Sequence, residues 1–313
     1  MNEKISVSIT SHNGMKFIAE QLDSIRTQTL PPDEVVIADN CSTDGTFEFC
    51  RDYIAKHNLT GWKIYQNEYD TGLVKNCRTV LDHLTGDILF TCDQDDIWMP
   101  DKVASMVSVM KAHPEIKLLA SNYVPLVLGK IAKSRLKYIN RNDGSVLQLK
   151  FSGTGMATMR PGCVFCFRAE LMKKFTVLYN EDLLYDSWLW KYAILQDSLY
   201  LLNRQLIYYR RHEGVATGTY LPAAHIIDLD ARINSSDKAA EVDRMFLDSA
   251  DGLEITPANR DILRKHIDFI GRRKNVLAKR STFRTALFVM MNMKHYPTLR
   301  NALSDIYAVM FLK

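Results

Sequence analysis

Three carboxylates occupy four positions directly after an apolar run, in the segment DILFTCDQDD. Asp93, Asp95 and Asp96 would repel one another at neutral pH unless a cation lay among them. One carboxylate of a D-x-D pair can bind a divalent metal that also takes two oxygens of a diphosphate. The first carboxylate can instead accept hydrogen bonds from ribose hydroxyls. Mg²⁺ or Mn²⁺ suits oxygen ligands and neutralises charge on a departing diphosphate. The spacing therefore indicates a metal and nucleotide diphosphate site.

Other structures also place acids at such spacing. Asp95 or Asp96 could cap a following helix. A calcium-binding EF-hand is excluded, because the count from Asp93 puts Trp98 and Ala104 where that loop needs Gly and Glu. A phosphatase of the haloacid dehalogenase type carries its D-x-D on the first strand of the chain, whereas this motif follows the fourth predicted strand. The phosphatase class remains the rival enzyme for this motif, and helix capping is the structural alternative to a metal and nucleotide site.

Alternating strand and helix patterns precede the acidic segment. The predicted strands are ISVSIT, EVVIAD, WKIYQN and DILFTC, and the helices between them begin near residues 18, 46 and 72. This alternation predicts an α/β fold with a parallel, nucleotide-binding sheet. Ligands of such sheets bind beyond the carboxyl ends of the strands, where Thr10, Asp39 and the three acids fall.

The pattern changes after Pro114. Strands are predicted at KLLASNYVPLVL, CVFCFR, SLYLL and QLIYYRRH, with a helix at DSWLWKYAIL. Helices follow from Pro222, one of them starting at Thr256-Pro257. We expect a catalytic domain over residues 1–220 and a basic helical region over residues 221–313.

Five blocks in order carry a resemblance: SITSHNG, LDSIRTQT, DEVVIADNCSTDGT, NEYDTGLVKN and TGDILFTCDQDDIWMPDKV. Together they resemble family 2 of the nucleotide-sugar glycosyltransferases. With YDSWLW and YYRRH, they are especially similar to bacterial rhamnosyltransferase-type members, which build O-antigens and other surface polysaccharides. The resemblance spans residues 4–214. It implies the A-type fold, a Rossmann-like, mostly parallel sheet with helices on both faces, followed by a C-terminal helical segment.

The resemblance also implies roles for individual residues. Asp95 would ligate Mn²⁺ or Mg²⁺, and Asp96 would orient its neighbours. Many members have a second acid where this chain has Asn40, whose neutral amide can still hold the turn. The expected nucleotide-binding residues are Thr10, His12, Asp39, Gly72, Lys75, Asn76 and Asp93.

Displacement of the nucleotide with inversion needs a base on the far side of the sugar. By resemblance this base is Asp186, in "EDLLYDSWLW", and Asp182 is the alternative base. The structural alternative for Asp186 is a helix cap. His212 is expected as a further metal ligand or diphosphate contact. Arg210 and Arg211 could bind phosphate. Trp188 and Trp190 could form a sugar platform or belong to the core.

The C-terminal region differs in charge from the rest of the chain. From Arg260 onward there are twelve Lys and Arg against three Asp, a net charge of +9, which leaves −5 for residues 1–259. Apolar residues recur there at near-helical spacing, which allows two interpretations. The region could be a helical appendage that packs on the catalytic domain or on a second subunit. Alternatively, it could form an amphipathic surface that binds anionic lipid. The aromatic residues are not interleaved as a stacking platform, which argues against nucleic acid.

These features predict an inverting, metal-dependent glycosyltransferase, a hexosyltransferase that moves rhamnose from dTDP-rhamnose to a glycan or a polyprenyl-diphosphate-linked acceptor. Transfer from a UDP-hexose or a UDP-N-acetylhexosamine is the alternative, and a non-catalytic sugar-nucleotide binding module is the alternative of a different class. Six scattered cysteines and an N-terminus without a signal-peptide core favour a reducing, cytoplasmic location, with peripheral contact at the inner face of the plasma membrane. The Cys163-x-x-Cys166 pair lies in a strand pattern, which disfavours a redox role.

Overall fold

Residues 3–132, 139–153, 159–172, 174, 184–212 and 229–312 are described by the computed structural model of the chain. The described residues group into two compact units. The first holds residues 3–132, 139–149, 159–172, 174, 184–193 and 198–212, and the second holds residues 150–153, 194–197 and 229–312. The domain boundary expected near residue 220 lies in 213–228, outside the described residues.

Four parallel strands form one half of the first unit's sheet, in the order β3-β2-β1-β4. All six residues of β2 are buried, as expected of a continuously apolar strand in a parallel sheet. The elements of this half are β1 (Ile5–Ser11), α1 (Ile18–Arg26), β2 (Glu34–Asp39), α2 (Thr46–Lys56), β3 (Trp62–Gln66), α3 (Gly72–Asp82) and β4 (Ile88–Asp93).

The other half of the sheet is mixed. The elements of this part of the chain are β5 (Ile97–Trp98), α4 (Lys102–Ala112), β6 (Leu118–Val127), β7 (Lys130–Ile131), β8 (Val146–Gln148), β9 (Phe165–Arg168), α5 (Tyr185–Leu195) and β10 (Leu199–Arg211). The strand order continues from β4 as β9-β6-β10-β5, with β7 beside β6 and β8 beside β10. Strand β9 is antiparallel to both β4 and β6, so it joins the two halves.

The structure corrects three of the expected strands. SLYLL and QLIYYRRH belong to one strand, β10, whose pairing with β6 shifts register after Leu202 and again after Gln205. These irregularities take up extra residues without ending the strand, so the polar Asn203-Arg204 is not a turn. The segment predicted as strand CVFCFR begins with a 3-10 turn at Gly162–Val164, and only Phe165–Arg168 is strand.

The described part of the second unit is helical from residue 229, with α6 (Leu229–Asp248), α7 (Pro257–Ala278), α8 (Thr282–Asn292) and α9 (Leu299–Phe311). Thr256 caps α7 by accepting a hydrogen bond from the backbone N of Asn259 at 3.3 Å, and Pro257 follows it, as the sequence predicted. Among the described residues, no helix combines the length and the apolar character needed to cross a membrane.

A buried carboxylate holds the helices of the second unit together. Asp305 on α9 accepts hydrogen bonds from Nη1 of Arg232 at 2.8 Å, Nε of Arg273 at 2.6 Å and the hydroxyl of Tyr296 at 2.8 Å. Burial alone would raise the pKa of Asp305, but the hydrogen bonds and charge of Arg273, with Tyr296 and Arg232, hold it below its usual range. The carboxylate is therefore ionised and connects α9 with α6 and α7.

Candidate active site

The expected site residues on β1, β2 and β4 meet at the carboxyl ends of these strands. In the parallel register, Thr10 stands opposite Asp93 on one side, and its neighbour Ser11 stands opposite Asp39 on the other. Strand order alone therefore brings three of the expected positions to one edge of the sheet.

Asp39 is fully buried, and groups of the protein occupy its carboxylate. One oxygen accepts from the hydroxyls of Ser11 at 2.8 Å and Ser42 at 2.6 Å. The other accepts from the backbone N of Ser42 at 2.9 Å and the side-chain amide of Gln66 at 3.2 Å. These four bonds use its acceptor capacity, so in this structure Asp39 holds the loop after β2 to the ends of β1 and β3.

Asn40 holds the next loop, as its expected turn-holding role requires. Its side-chain oxygen accepts from the side chain of Asn67 at 2.9 Å and from the backbone N of Thr71 at 3.0 Å, and its amide donates to Asp70. Gly72 follows with φ +77°, a left-handed conformation that favours glycine at the start of α3. The neutral amide thus orders the segment where Gly72 is expected to line the nucleotide.

The two residues expected beside Gly72 differ in position. Asn76 is buried, donates to the carbonyl of Ala38 at 3.0 Å and accepts from Asn67 at 3.0 Å, so its amide is engaged inside the protein. Lys75 is exposed on α3. Of the pair, Lys75 is the one exposed to solvent.

Gln94 connects the acidic segment with the loop after β1. Its side chain accepts from the backbone N of His12 at 2.9 Å and donates to the carbonyl of His12 at 3.0 Å. A Cβ on Gly14 would lie 2.2 Å from Oε1 of Gln94, so a larger residue there would displace the Gln94 side chain from His12. The imidazole Nδ1 of His12 lies 2.7 Å from the carbonyl oxygen of Asn40. His12 is thereby fixed between the loops after β1 and β2.

Two of the three clustered acids share a pocket with a cysteine. Single oxygens of Asp93 and Asp96 and the sulfur of Cys163 all lie within 4.8 Å of one another. Asp96 is fully buried, and its Oδ1 accepts from the backbone N of Arg210 at 2.9 Å, while its Oδ2 has no hydrogen-bond partner. Neither Asp95 nor Asp96 caps a helix, because α4 begins only at Lys102, so the capping alternative is wrong.

A buried ammonium lies beside this pocket. Lys102 is fully buried, donates from Nζ to the carbonyl of Cys163 at 2.8 Å and lies 4.1 Å from the ring centre of Trp98. Burial lowers the pKa of Lys102, whereas the neighbouring Cys163, Cys92 and Asp96 act to raise it. Lys102 places positive charge behind the acids, which partly offsets their mutual repulsion.

The third acid pairs with the distant histidine. Nε2 of His212 lies 2.8 Å from Oδ2 of Asp95, and both side chains are partly exposed. Phe17 orients this histidine, because the two ring centres are 4.5 Å apart and the guanidinium of Arg210 lies 4.5 Å from the same phenyl centre. Arg210 also forms an ion pair with Glu20. The two residues expected to ligate metal are therefore in direct contact.

Asp186 lies in the first turn of α5 and close to the acidic cluster. Its Oδ1 accepts from the backbone N of Ser187 at 2.6 Å, and its negative charge acts on Asp93. Tyr185 lies over Gly162, where a Cβ would be 2.1 Å from the tyrosine hydroxyl and 3.1 Å from Cβ of Asp186. The alternative base, Asp182, lies outside the described residues.

The crowding of these acids shifts their protonation. Burial, then the charges of Asp95 and Asp186, raises the pKa of Asp93 to about 7. Burial, then the charges of Asp93 and Asp95, raises the pKa of Asp96 well above its usual range. Burial also raises the pKa of Asp186, against hydrogen bonds from Ser187. A bound cation would favour the charged forms of these groups.

The donor set fits a divalent cation. The partner-less oxygen of the buried Asp96, the carboxylates of Asp93 and Asp95 and the imidazole of His212 supply oxygen and nitrogen ligands of the kind that Mn²⁺ accepts.

Several residues that shape this site were not assigned a place in it from the sequence. Lys102 stands in the DQDDIWMPDK block, which is a sequence signal for a place in the site, whereas the C-x-x-C spacing of Cys163 points only to redox chemistry. Trp188 and Trp190 are buried in the core, so the sugar platform is wrong for both, because neither ring is accessible. Ser42, Gln94 and Tyr185 also stand in the quoted blocks, whereas Phe17, Glu20 and Gln66 lie outside them.

Comparison with known proteins gives one family. The family model described as Glycosyl transferase family 2 matches residues 6–174. The dTDP-rhamnosyl transferase RfbG of Shigella flexneri is 25% identical over 224 residues, which cover 67% of this chain and 73% of that protein. The Escherichia coli UDP-Glc:alpha-D-GlcNAc-diphosphoundecaprenol beta-1,3-glucosyltransferase WfgD is 26% identical over 139 residues, 43% of this chain and 53% of its own length. The Bacillus subtilis (strain 168) protein EpsE is 29% identical over 118 residues, 38% of this chain, and the match spans 42% of EpsE.

Solved structures of low sequence identity share the fold. S. aureus TarS 1-349 superposes with a TM-score of 0.61 at 15% identity, covering 98% of this chain and 90% of that chain. The mannosyltransferase PcManGT from Pyrobaculum calidifontis, in complex with GDP-Man and Mn²⁺, gives a TM-score of 0.54 at 19% identity and covers 99% of this chain and 81% of that chain. The expected A-type glycosyltransferase fold is confirmed.

Proposed function

We propose that this chain, which belongs to glycosyl transferase family 2, transfers a hexose from a nucleotide diphosphate sugar to a glycan or lipid-linked acceptor, with inversion and with a divalent metal. The observation that carries this proposal is the contact of Asp95 with His212 beside Asp93, on which the charges of Asp95 and Asp186 act. A protein that only bound the donor would need no carboxylate with a raised pKa beside the diphosphate site.

The nucleotide would lie along the ends of β1, β2 and β3. His12, held by Asn40 and Gln94, and the ordered loop at Gly72 form the walls of this part of the site. Thr10 lies opposite Asp93, which would face the ribose. The buried Asp39 would contribute a base contact only by exchanging one of its present bonds, for example the long one with Gln66.

Asp186 would act as the general base. It would take the proton of the acceptor hydroxyl while that oxygen forms a bond to the anomeric carbon. The bond from the anomeric carbon to the phosphate oxygen breaks, and its electron pair leaves with the nucleoside diphosphate. Burial raises the pKa of Asp186, which makes it a stronger base than an exposed aspartate. One displacement inverts the anomeric configuration.

The metal would be held by Asp95 and His212, with Asp93 and Asp96 beside them. A bound divalent cation neutralises the charge that develops on the leaving diphosphate. The residues themselves keep the site in place: Phe17 packs against the imidazole of His212, and Asp96 holds the backbone of Arg210.

The donor we favour is dTDP-rhamnose, because RfbG, named a dTDP-rhamnosyl transferase, matches the largest part of this chain among the relatives above. A UDP-hexose or UDP-N-acetylhexosamine is the alternative, supported by the names of WfgD and of the Staphylococcus aureus poly(ribitol-phosphate) beta-N-acetylglucosaminyltransferase TarS. WfgD is also named for a lipid-linked diphosphate acceptor, which supports an acceptor of that class here. Such an acceptor would place the protein peripherally on the inner face of the plasma membrane.

A thermal-shift screen separates these donors. The full chain is heated with dTDP, UDP and GDP, each with Mn²⁺ or with chelator, and the favoured nucleotide should stabilise it only with the metal. Release of nucleoside diphosphate is then measured after mixing dTDP-rhamnose, UDP-glucose or UDP-N-acetylglucosamine with a polyprenyl-diphosphate glycan. Binding without release or sugar transfer for any pair would favour the non-catalytic binding module.

A further inference from the structure

The helix α8 presents an apolar face to solvent. Phe283, Leu287, Met290 and Met291 are all exposed, Phe283 by 78% and Met290 by 70%. Their spacing of i, i+4, i+7 and i+8 places them on one side of the helix. The opposite side of α8 is packed in the second unit's core through Val289. The four exposed side chains are therefore on a second, outward face of a helix that is already packed.

Helix α9, which packs on α8, repeats this arrangement. Its exposed large apolar residues recur at near-helical spacing, and its inner side is buried in the second unit. They are Leu299, Leu303, Tyr307, Met310 and Phe311. The two helices together form an exposed apolar surface, here called the α8–α9 surface, of nine large side chains. Soluble monomers rarely leave so many contiguous apolar groups exposed unless the patch binds something.

The charge of this segment has one sign. Exposed Arg284, Lys294 and Arg300 accompany the apolar residues. The single acidic residue of residues 279–313 is Asp305, which is fully buried against Arg232 and Arg273. The described residues 279–312 therefore contribute apolar and cationic side chains and no exposed acidic side chain to the α8–α9 surface.

We propose that the α8–α9 surface binds the anionic surface of a lipid membrane, with its apolar side chains at the headgroup boundary and its cations on lipid phosphates. Apolar residues flanked by Lys and Arg are what such a surface requires. A second copy of this chain is a poorer occupant, because a symmetric contact would bring the same cations together with no acid to neutralise them. The inference rests on the proposed peripheral location and names the surface that carries it.

Flotation of the full chain with vesicles tests the proposal. Wild type should float with vesicles of phosphatidylcholine and phosphatidylglycerol, and much less with phosphatidylcholine alone. The variant Phe283→Ser/Met290→Ser/Leu303→Ser should bind the anionic vesicles at least about tenfold more weakly, because it removes apolar area that would be buried. Leu128→Ser/Ile131→Ser, which changes two exposed apolar residues of the first unit, is the matched control and should float as wild type does.

A second variant isolates the charges. Arg284→Gln/Lys294→Gln/Arg300→Gln should weaken binding to the anionic vesicles by about a hundredfold and remove its salt dependence. All variants should keep the wild-type melting temperature and the nucleotide-dependent thermal shift. Because the thermal shift reports on the donor and flotation reports on lipid, failure of the donor assignment can be distinguished from failure of the membrane proposal. Wild type that does not float, or apolar variants that float unchanged, would overturn the proposal. Concentration-dependent dimers of wild type that the apolar variant loses, without flotation, would assign the surface to a second copy instead.

Discussion

Nε2 of His212 lies 2.8 Å from Oδ2 of Asp95, although 117 residues separate them in the chain. Asp95 follows β4 in one half of the sheet, and His212 follows β10 in the other. The contact joins the ends of the two halves at the acidic cluster. Asp95 and His212 are the two proposed metal ligands, and each can be substituted separately.

Loss of either ligand should weaken metal binding. We expect Asp95→Ala and His212→Ala each to raise the Kd for Mn²⁺, measured by calorimetry with the favoured nucleoside diphosphate present, by at least about tenfold. Phe17→Leu should have a smaller effect in the same direction, since Phe17 only orients the imidazole. His113→Ala, an exposed histidine paired with Glu115, is the control. Nucleotide binding of full strength in chelator would contradict the metal's role.

Asp186→Asn should separate binding from turnover. The amide keeps the shape of the side chain and its acceptor for the backbone N of Ser187, but it has no proton affinity in the required range. Donor and metal binding should stay near wild type, while turnover falls by roughly a hundredfold or more. Single-turnover sugar transfer measures this fall, and NMR of the product should show an inverted anomeric centre.

Asp182→Asn is the comparison for this variant and should be much milder. If Asp182→Asn were inactive and Asp186→Asn near wild type, the base would be Asp182. Retention of configuration in the wild-type product would contradict the single displacement itself.

Gly162→Ala should disturb the base without removing it. The new methyl group would lie 2.1 Å from the hydroxyl of Tyr185 and 3.1 Å from Cβ of Asp186, so α5 or the 3-10 turn must shift. We expect turnover to fall by about tenfold or more, because a displacement near 1 Å is costly at a reacting centre. Gly271→Ala, in helix α7 with no atom within 4 Å of the added Cβ, should leave turnover unchanged and stabilise by about 0.5–1 kcal/mol. Equal turnover of both variants would show that the approach at Gly162 does not position Asp186.

Asp305→Asn should destabilise the second unit. Removing a buried ionic partner leaves Arg232 and Arg273 uncompensated, which costs about 3–5 kcal/mol. Urea unfolding followed by circular dichroism measures this loss.

The same carboxylate makes stability depend on pH. The pKa of Asp305 is lower in the folded chain than its ordinary value of 3.8. Its contribution is therefore fully present above that value and is lost as the pH falls below 3.8 through the folded pKa. The destabilisation by Asp305→Asn should be constant above this window and shrink below it. A difference that does not change with pH would mean that the ionised form is not what stabilises the helices.

Local patterns were sufficient for the framework of this protein. The run EVVIAD predicts a buried strand and is β2, because a strand covered on both faces needs a continuous apolar run that is visible in the sequence. The position of Asp39 and Asp93 at one edge follows from the parallel order of the strands, which the alternation with helices already indicated. Thr256-Pro257 indicates a helix start in the sequence, because the cap is formed by residues within four positions of one another.

The contacts that shape the candidate site depended on the tertiary structure. Asp95 contacts His212, and Lys102 is buried against the carbonyl of Cys163. The lack of a side chain at Gly162 leaves space for the ring of Tyr185. In each case the two residues lie in segments far apart in the chain. Hydropathy and spacing report on neighbours within a strand or a helical turn, so they carry no information about such distances. The sequence by itself determined that Thr10, Asp39 and Asp93 stand at the ends of parallel strands. Only the folded sheet decided which of the site residues touch, because the pairing of β10 with β6 and β5 brings the end of a late strand to the acids of an early one.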